Sequence, residues 1–371
     1  MKRELCAMVA GHICLDITPY IQSNIQKPIS EILVPGTLVT VSDVSLSLGG
    51  AVWNVGMALY KLGIPTILNG LVGTDEFGKI IERMIEKSGV ECGLKKKTGS
   101  LTSFTVVLSV PSCDRIFLHA PGANNDYSSK DVDYAAIKNV DLFHFGYPPV
   151  MRNTYINEGA ELLEMFKSAK ATGVTTSLDM AMPDPFSESG YVDWELILKK
   201  VLPYADIFAP SIEEILFMID REMYNLLKQN AAGKDMISVL DLNILSSVAD
   251  KLHELGSKII MLKCGHKGCY ISTKNIDKYF GKSCPTDVKN WSNRKIFEPC
   301  FYVENIASTT GAGDTTIAGF LASLLRDTSI ESALSHATAV GALCVSVKDT
   351  VSSIVPFNQV SELIDKGWKK V

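Results

Sequence analysis

Short apolar runs alternate with amphipathic stretches along most of this chain. Residues 5–13 are almost wholly apolar and contain Gly11, the pattern of a strand buried on both faces. Val52, Val55, Leu59 and Leu62 then recur at helical spacing, and Gly63 supplies the stop. The run 67–72 predicts the next strand. Phe77, Ile80, Ile81, Met84 and Ile85 predict one helical face that ends near Gly89. Further buried strands are predicted at 140–145, 174–178, 207–209 and 258–262, with helices between them at 158–170 and 241–255. This order predicts an α/β fold: one central, mostly parallel sheet with helices on both faces. Two regions differ. Residues 29–48 and 100–119 alternate apolar and polar positions, so they predict antiparallel strands exposed on one face, a small β-sheet lid. The stretches at about 221–236 and 272–301 are expected as surface insertions without chemistry, and the second has no clear period. The whole of 1–371 is expected to form one domain.

Composition narrows the function. The chain is 46% hydrophobic and 21% charged, an ordinary globular mix. A formal charge of −5 argues against nucleic acid as a partner. The basic run Lys95, Lys96, Lys97 is expected as a solvated surface turn. Nine cysteines are scattered without framework spacing. Cys264 and Cys269 enclose Gly265 and Gly268, a strand turn that lacks a fourth metal ligand, so no metal site is expected there. Reduced thiols fit a cytoplasmic location. No signal segment and no membrane helix are expected, because His12 and Asp16 interrupt the first apolar run and no other is long enough.

The chemistry concentrates at Thr309, Thr310, Gly311, Ala312, Gly313 and Asp314, followed by an apolar helix. Glycines bring backbone N–H groups to a helix N-terminus, where an anion is favoured. A carboxylate there repels phosphate if it only holds it. It makes sense if Asp314 takes the proton of a hydroxyl that attacks a phosphoryl group, while the N–H groups of Gly311, Ala312 and Gly313 stabilise developing charge. The helix dipole is expected to keep Asp314 ionised. The plainer alternative is a glycine-rich helix start that Asp314 caps. A second glycine-rich turn, Gly73 to Lys79, is set aside as a phosphate loop. Ile80 stands where a hydroxyl should meet magnesium, and Asp75 and Glu76 would face the phosphates. Asp75 is expected to lie near a helix N-terminus.

Thr309 to Asp314, with Ala318, Gly319 and Phe320, resembles the second signature of the ribokinase-like (pfkB-type) carbohydrate kinase family. Gly49, Gly50 and Asn54, with the run to Leu62 and Gly63, resemble its first signature. The resemblance extends over nearly the whole chain. It implies a ribokinase-like fold with a β lid over a sugar site, ATP and Mg²⁺ as cofactors, and a small-molecule sugar as substrate. It also implies substrate contacts from Asp16, Gly49, Gly50, Asn54 and Asn124. Glu214, Lys263, Gly265, Gly268, Thr310 and His336 correspond to nucleotide- or magnesium-facing positions. Each has a structural alternative as a turn, helix-start or surface residue. The chain departs from the family pattern at Ser308 and Ser211, where relatives carry Asp and Asn. Many relatives hold a monovalent cation beside this loop, and Ser308 weakens that hold. A homodimer through the lid is the association this resemblance leaves open.

The expected activity is transfer of the ATP γ-phosphate to a hydroxymethyl group of a sugar. One alternative is a nucleoside kinase, with Trp53, Phe104 or Phe117 under the base. Another is a sugar-binding regulatory protein that has lost catalysis.

Overall fold

The computed structural model describes residues 5–21, 29–108, 116–276 and 280–371. Among them, nine strands form one sheet. Their order is Lys295–Pro299, Gly268–Thr273, Ile259–Lys263, Ile207–Phe208, Thr175–Leu178, Leu142–Gly146, Ala7–Gly11, Thr66–Asn69, Glu91–Cys92. The strands from Ile259–Lys263 to Glu91–Cys92 run parallel. Gly268–Thr273 is antiparallel to both neighbours. The pleat explains why such strands read as continuous apolar runs. Met8, Ala10, Phe143 and Phe145 point to one face, packing with Phe166, Trp194 and Leu216. Ala7, Val9 and Leu142 point to the other, packing with Leu59, Ile317, Phe320 and Leu334. Helices Ile156–Ala171, Trp194–Val201 and Leu242–Glu254 supply the first layer. Ala51–Lys61, Ala312–Leu325 and Ile330–Val345 supply the second. The α/β expectation and the two covered faces therefore hold.

A separate four-stranded sheet has the order Val41–Gly49, Cys14–Ile21, Phe104–Leu108, Ile116–Ala120. Three of these strands fall largely where the alternating pattern predicts them. The fourth, Cys14–Ile21, was not predicted, because Asp16, Thr18 and Pro19 break its apolar run. The chain thus crosses from the central sheet into the small one within two residues of Gly11. Ile29–Ile32 is a short helix rather than strand. Residues 109–115, part of the other predicted lid region, lie outside the described residues.

Register gives the small sheet two chemical faces. Leu46, Ile17, Val106 and Leu118 form one row across it. Ser47, Asp16, Thr105 and His119 form the adjacent row, which points the other way.

Several expectations change. The strand predicted at 67–72 is broken at Gly70 into Thr66–Asn69 and Leu71–Gly73. The second piece pairs with Lys95–Lys97, so the basic run is an exposed strand rather than a turn. The 221–236 stretch contains helix Arg221–Asn230, which buries Tyr224 and Leu227. The 272–301 stretch is not a surface insertion throughout. It supplies the edge strand Lys295–Pro299, and it buries Trp291 with its ring 5.9 Å from that of Phe320. Asp75 caps helix Glu76–Ser88 through the Gly78 N–H, at 2.9 Å, as its position suggests.

Two expected outcomes follow from this packing. Trp291→Ala should lower the free energy of unfolding by about 3–5 kcal/mol, as for other large aromatic truncations in a core. Urea denaturation measures it, and a loss under about 1 kcal/mol would return this segment to the surface. The second concerns His144, which is wholly buried with Nδ1 3.0 Å from Ser177 Oγ. Burial, helped by Lys263, pushes its imidazole down to about 3. An unfolded imidazole titrates near 6.5, so the unfolded chain takes up a proton that the folded chain refuses. Stability present above about pH 6.5 is therefore lost as pH falls toward 3, by up to about 1.4 kcal/mol per pH unit for this group. The melting temperature should fall more gently with acid in His144→Asn. Parallel melting curves for the two proteins would assign the acid sensitivity to other groups.

Candidate active site

The chain leaves Ala7–Gly11 toward Thr66–Asn69 on one side and later returns as Leu142–Gly146 on the other. Such a reversal of strand order opens a crevice at the carboxyl ends of the strands. His12, Tyr147, Asp179 and Lys263 all stand at those ends.

Asp314 lies in the first turn of Ala312–Leu325 and is 2% exposed. Gly311 precedes that helix with φ 75°, and no described side chain caps the turn. The carboxylate is held from two other elements. Asn54 Nδ2 donates to Oδ2 at 2.8 Å. Tyr147 Oη donates to Oδ1 at 2.9 Å and to Oδ2 at 2.7 Å. Burial pushes the Asp314 carboxyl above the usual range, against the pull of Lys263, Tyr147 and Asn54. Desolvation is the largest of these effects, and it opposes the ionised form that the helix N-terminus favours.

Lys263 Nζ reaches Asp179 Oδ1 at 2.6 Å and lies beside Gly313. Burial works against its ammonium, but Asp179 and Glu214 together hold it above the usual lysine range. Asp179 is wholly buried, and burial pushes its carboxyl up to about 8 despite Lys263. Its Oδ2 has no hydrogen-bond partner among the described residues. Glu214 and Ser211 form a reciprocal cap on helix Ile212–Ile219. The Ser211 N–H donates to Glu214 Oε2 at 2.7 Å, and the Glu214 N–H to Ser211 Oγ at 3.2 Å. Serine therefore serves the cap that Asn would otherwise serve. Thr310 adjoins the same turn, its N–H 3.2 Å from Ser308 Oγ.

The polar row of the small sheet meets this centre through His12. His12 Nε2 lies 3.3 Å from His119 Nε2, and the His12 ring centre lies 6.1 Å from that of Tyr147. His119 Nδ1 lies 3.0 Å from Thr105 Oγ1. Asp16 Oδ1 accepts from Cys14 Sγ at 3.3 Å, and burial raises its carboxyl. Burial, then His119, holds His12 well below the usual imidazole range, so it is neutral.

Other expected residues have structural partners. A Cβ on Gly49 would strike the Asp16 carboxylate, and one on Gly50 would strike His12. These glycines make room for protein side chains. Asn124 is wholly buried, with its amide joined to the backbone N–H and C=O of Ile13. His336 has both ring nitrogens engaged, with Ser332 O and Ser361 Oγ, and its face stacks on Phe357 at 4.2 Å. Gly265 opens a turn, and Gly268 gives way to the neighbouring Glu298 carbonyl. The side-chain polar atoms of Asn124 and His336 thus each have a protein partner. Asn54 keeps its Oδ1 buried without a partner among the described residues.

Sequence reasoning missed His12, Thr105, His119, Tyr147 and Asp179. Asp179 carried one usable signal, an acidic residue directly after a predicted parallel strand. Tyr147 carried none.

Residues 8–357 match the family described as pfkB family carbohydrate kinase. A probable fructokinase-5 of Arabidopsis thaliana is 29% identical over 318 residues, covering 82% of this chain and 84% of the relative. The structure of Arabidopsis thaliana ribokinase complexed with ribose and ATP matches with a TM-score of 0.72 at 21% identity. It covers 97% of this chain and 99% of that one. A putative ribokinase II from E. coli, in complex with ATP and Mg²⁺, matches with a TM-score of 0.70 at 20% identity, covering 98% and 99%. The fold is ribokinase-like, and the match of one family along almost the whole length fits the two signatures and the strand-end crevice. The chain belongs to the pfkB family of carbohydrate kinases.

Proposed function

We propose that this carbohydrate kinase transfers the γ-phosphate of ATP to a hydroxymethyl group of a sugar, with Asp314 as the general base. The observation that carries this reading is a buried carboxylate in the first turn of a helix whose N-terminus no described side chain caps. The acceptor hydroxyl gives its proton to Asp314 as its oxygen forms a bond to the γ-phosphorus. The bond to the ADP oxygen breaks, and the leaving group departs as the ADP phosphate oxygen. Backbone N–H groups at Gly311 to Asp314 face the transferring charge. Lys263, beside Gly313, is placed to meet a phosphate. The donor set fits a nucleotide with its divalent cation, because Glu214 and Asp314 both lie in the field of the one Lys263 ammonium and leave surplus negative charge even with Asp179 protonated. Magnesium would supply neutralisation of the phosphates when bound, and Glu214 is the residue that would help to hold it.

The polar row of Asp16, Ser47, Thr105 and His119 is the surface we assign to the sugar, with the unpartnered Asn54 Oδ1 beside the base. The nucleoside alternative is less well supported. Phe104 lies edge-on to Phe77 at 5.5 Å and Trp53 packs in the same apolar cluster, so of the three candidate rings Phe117, exposed on the face of Thr105 and His119, is the one left to meet a base. The fructokinases among the relatives make a ketohexose the first sugar to try. Exposed Val44, Leu46 and Leu118 on the apolar face of the small sheet fit a homodimer through the lid. Cysteines scattered without framework spacing fit a reducing compartment such as the cytoplasm.

ADP release across a panel of sugars and nucleosides tests the activity. Asp314→Asn keeps size but cannot take a proton, so kcat should fall about 10²–10⁴-fold. Nucleotide affinity by calorimetry should hold or improve. A kcat within a few-fold of the parent would leave Asp314 as a cap only. For Asp16→Ala, loss of a charged acceptor corresponds to a rise of roughly 10–150-fold in KM for the sugar, with KM for ATP nearly unchanged. Equal damage to both constants would make Asp16 structural.

A further inference from the structure

The group that meets Asp314 most closely belongs to no motif. Tyr147 spans both carboxylate oxygens with one hydroxyl, at 2.9 Å and 2.7 Å. Its backbone is left-handed, with φ 70°, a conformation that residues with side chains rarely adopt. The surroundings impose it. Gly146 before it packs so closely on Ala51 that no Cβ fits. Pro148 and Pro149 follow it, and the Pro148 carbonyl accepts from Thr154 Oγ1 at 2.7 Å. The Tyr147 carbonyl accepts from the Val150 N–H at 3.2 Å. Backbone strain that neighbours over-determine clusters at working sites. Here its consequence is visible, because it aims the phenol at the carboxylate.

We propose that Tyr147 is a positioning residue that fixes the Asp314 carboxylate and holds it in its proton-accepting form. The inference rests on the sugar-kinase reading above. Tyr147 and Asn54 together occupy three acceptor directions of the carboxylate, and the remaining direction on Oδ1 is left for the sugar hydroxyl. Donors of this kind favour the ionised acid over the protonated one. The other charged and titratable groups facing the pair are Lys263 and Asp179 at strand ends, Glu214 on helix Ile212–Ile219, and His12. Lys263 also favours ionised Asp314, while Glu214 opposes it. Burial, then Asp314 and Asp179, holds the Tyr147 hydroxyl well above its usual range, so it stays a donor wherever the enzyme works.

Tyr147→Phe removes the hydroxyl and keeps the ring and the backbone. The rate is followed from about pH 5 to pH 9 at saturating sugar and ATP. The acid limb of kcat should move up by about one pH unit. On the acid side of both limbs the variant should then be about tenfold slower than the parent, and within about threefold at pH 9, with little change in KM for the sugar. An acid limb that coincides with the parent's, or an equal loss at every pH, overturns the proposal. If Tyr147→Phe does not fold, 3-fluorotyrosine at 147 keeps the group and strengthens its donation. The limb should then move to lower pH, and no movement overturns the proposal as well. The parent profile separates the two readings, since a parent that phosphorylates no sugar strikes the kinase reading. The Asp314 carboxyl titration, read by ¹³C NMR as the signal lost in Asp314→Asn, must rise in Tyr147→Phe whether or not a sugar is found. If it does not, the role assigned to Tyr147 fails on its own.

Discussion

One carboxylate held where water hardly reaches it is the constraint on which the site depends. Moving such a charge out of water costs several kcal/mol unless charge and hydrogen bonds compensate it. For Asp314 the compensation comes from separate stretches of chain. Asn54 arrives on helix Ala51–Lys61, directly after Val41–Gly49, and Tyr147 arrives on the turn after Leu142–Gly146. The field of Lys263 comes from the end of Ile259–Lys263, and the helix N-terminus belongs to Ala312–Leu325 itself. The balance still leaves the carboxyl above its ordinary range. That suits a group which must receive a proton and then give it up.

Several elements approach one another closely at the same centre. Helix Ala51–Lys61 begins against the end of the first strand, where only glycine at 50 clears His12. The Val52 N–H donates to the His12 carbonyl at 3.1 Å, which locks that approach. The small sheet grows from the same point, so its polar row is tied to the central sheet by two residues of chain and by the His12–His119 contact. The polar row of the small sheet and Asp314 are therefore linked through His119, His12 and Tyr147, although 298 positions separate Asp16 from Asp314 in the sequence.

Hydrophobic period made the layered fold legible, because strands buried on both faces need continuous apolar runs and covering helices need the 3.6-residue repeat. The turn at Gly311 to Asp314 and the pair Gly49, Gly50 were legible for a similar reason. Local backbone freedom and a helix start are properties of adjacent residues. Where a strand was polar or short, the pattern failed. Cys14–Ile21 carries Asp16 and Pro19, and Lys295–Pro299 lies at an edge in a stretch without period. Asn124 and His336 read as ligand positions from their motifs, but the tertiary structure engages their polar atoms with Ile13, Ser332 and Ser361.

By itself, then, the sequence determined the class of fold, the glycine-rich helix start, and the carboxylate placed within it. Only the tertiary structure decided what that carboxylate is bonded to, which glycines clear protein side chains, and which strand-end residues join the site. The physical reason is range. Period and turn chemistry act over a few residues and leave a local trace. The bonds from Asn54 and Tyr147 to Asp314 span 260 and 167 positions, and they exist only once the sheet order has brought those strand and helix ends together.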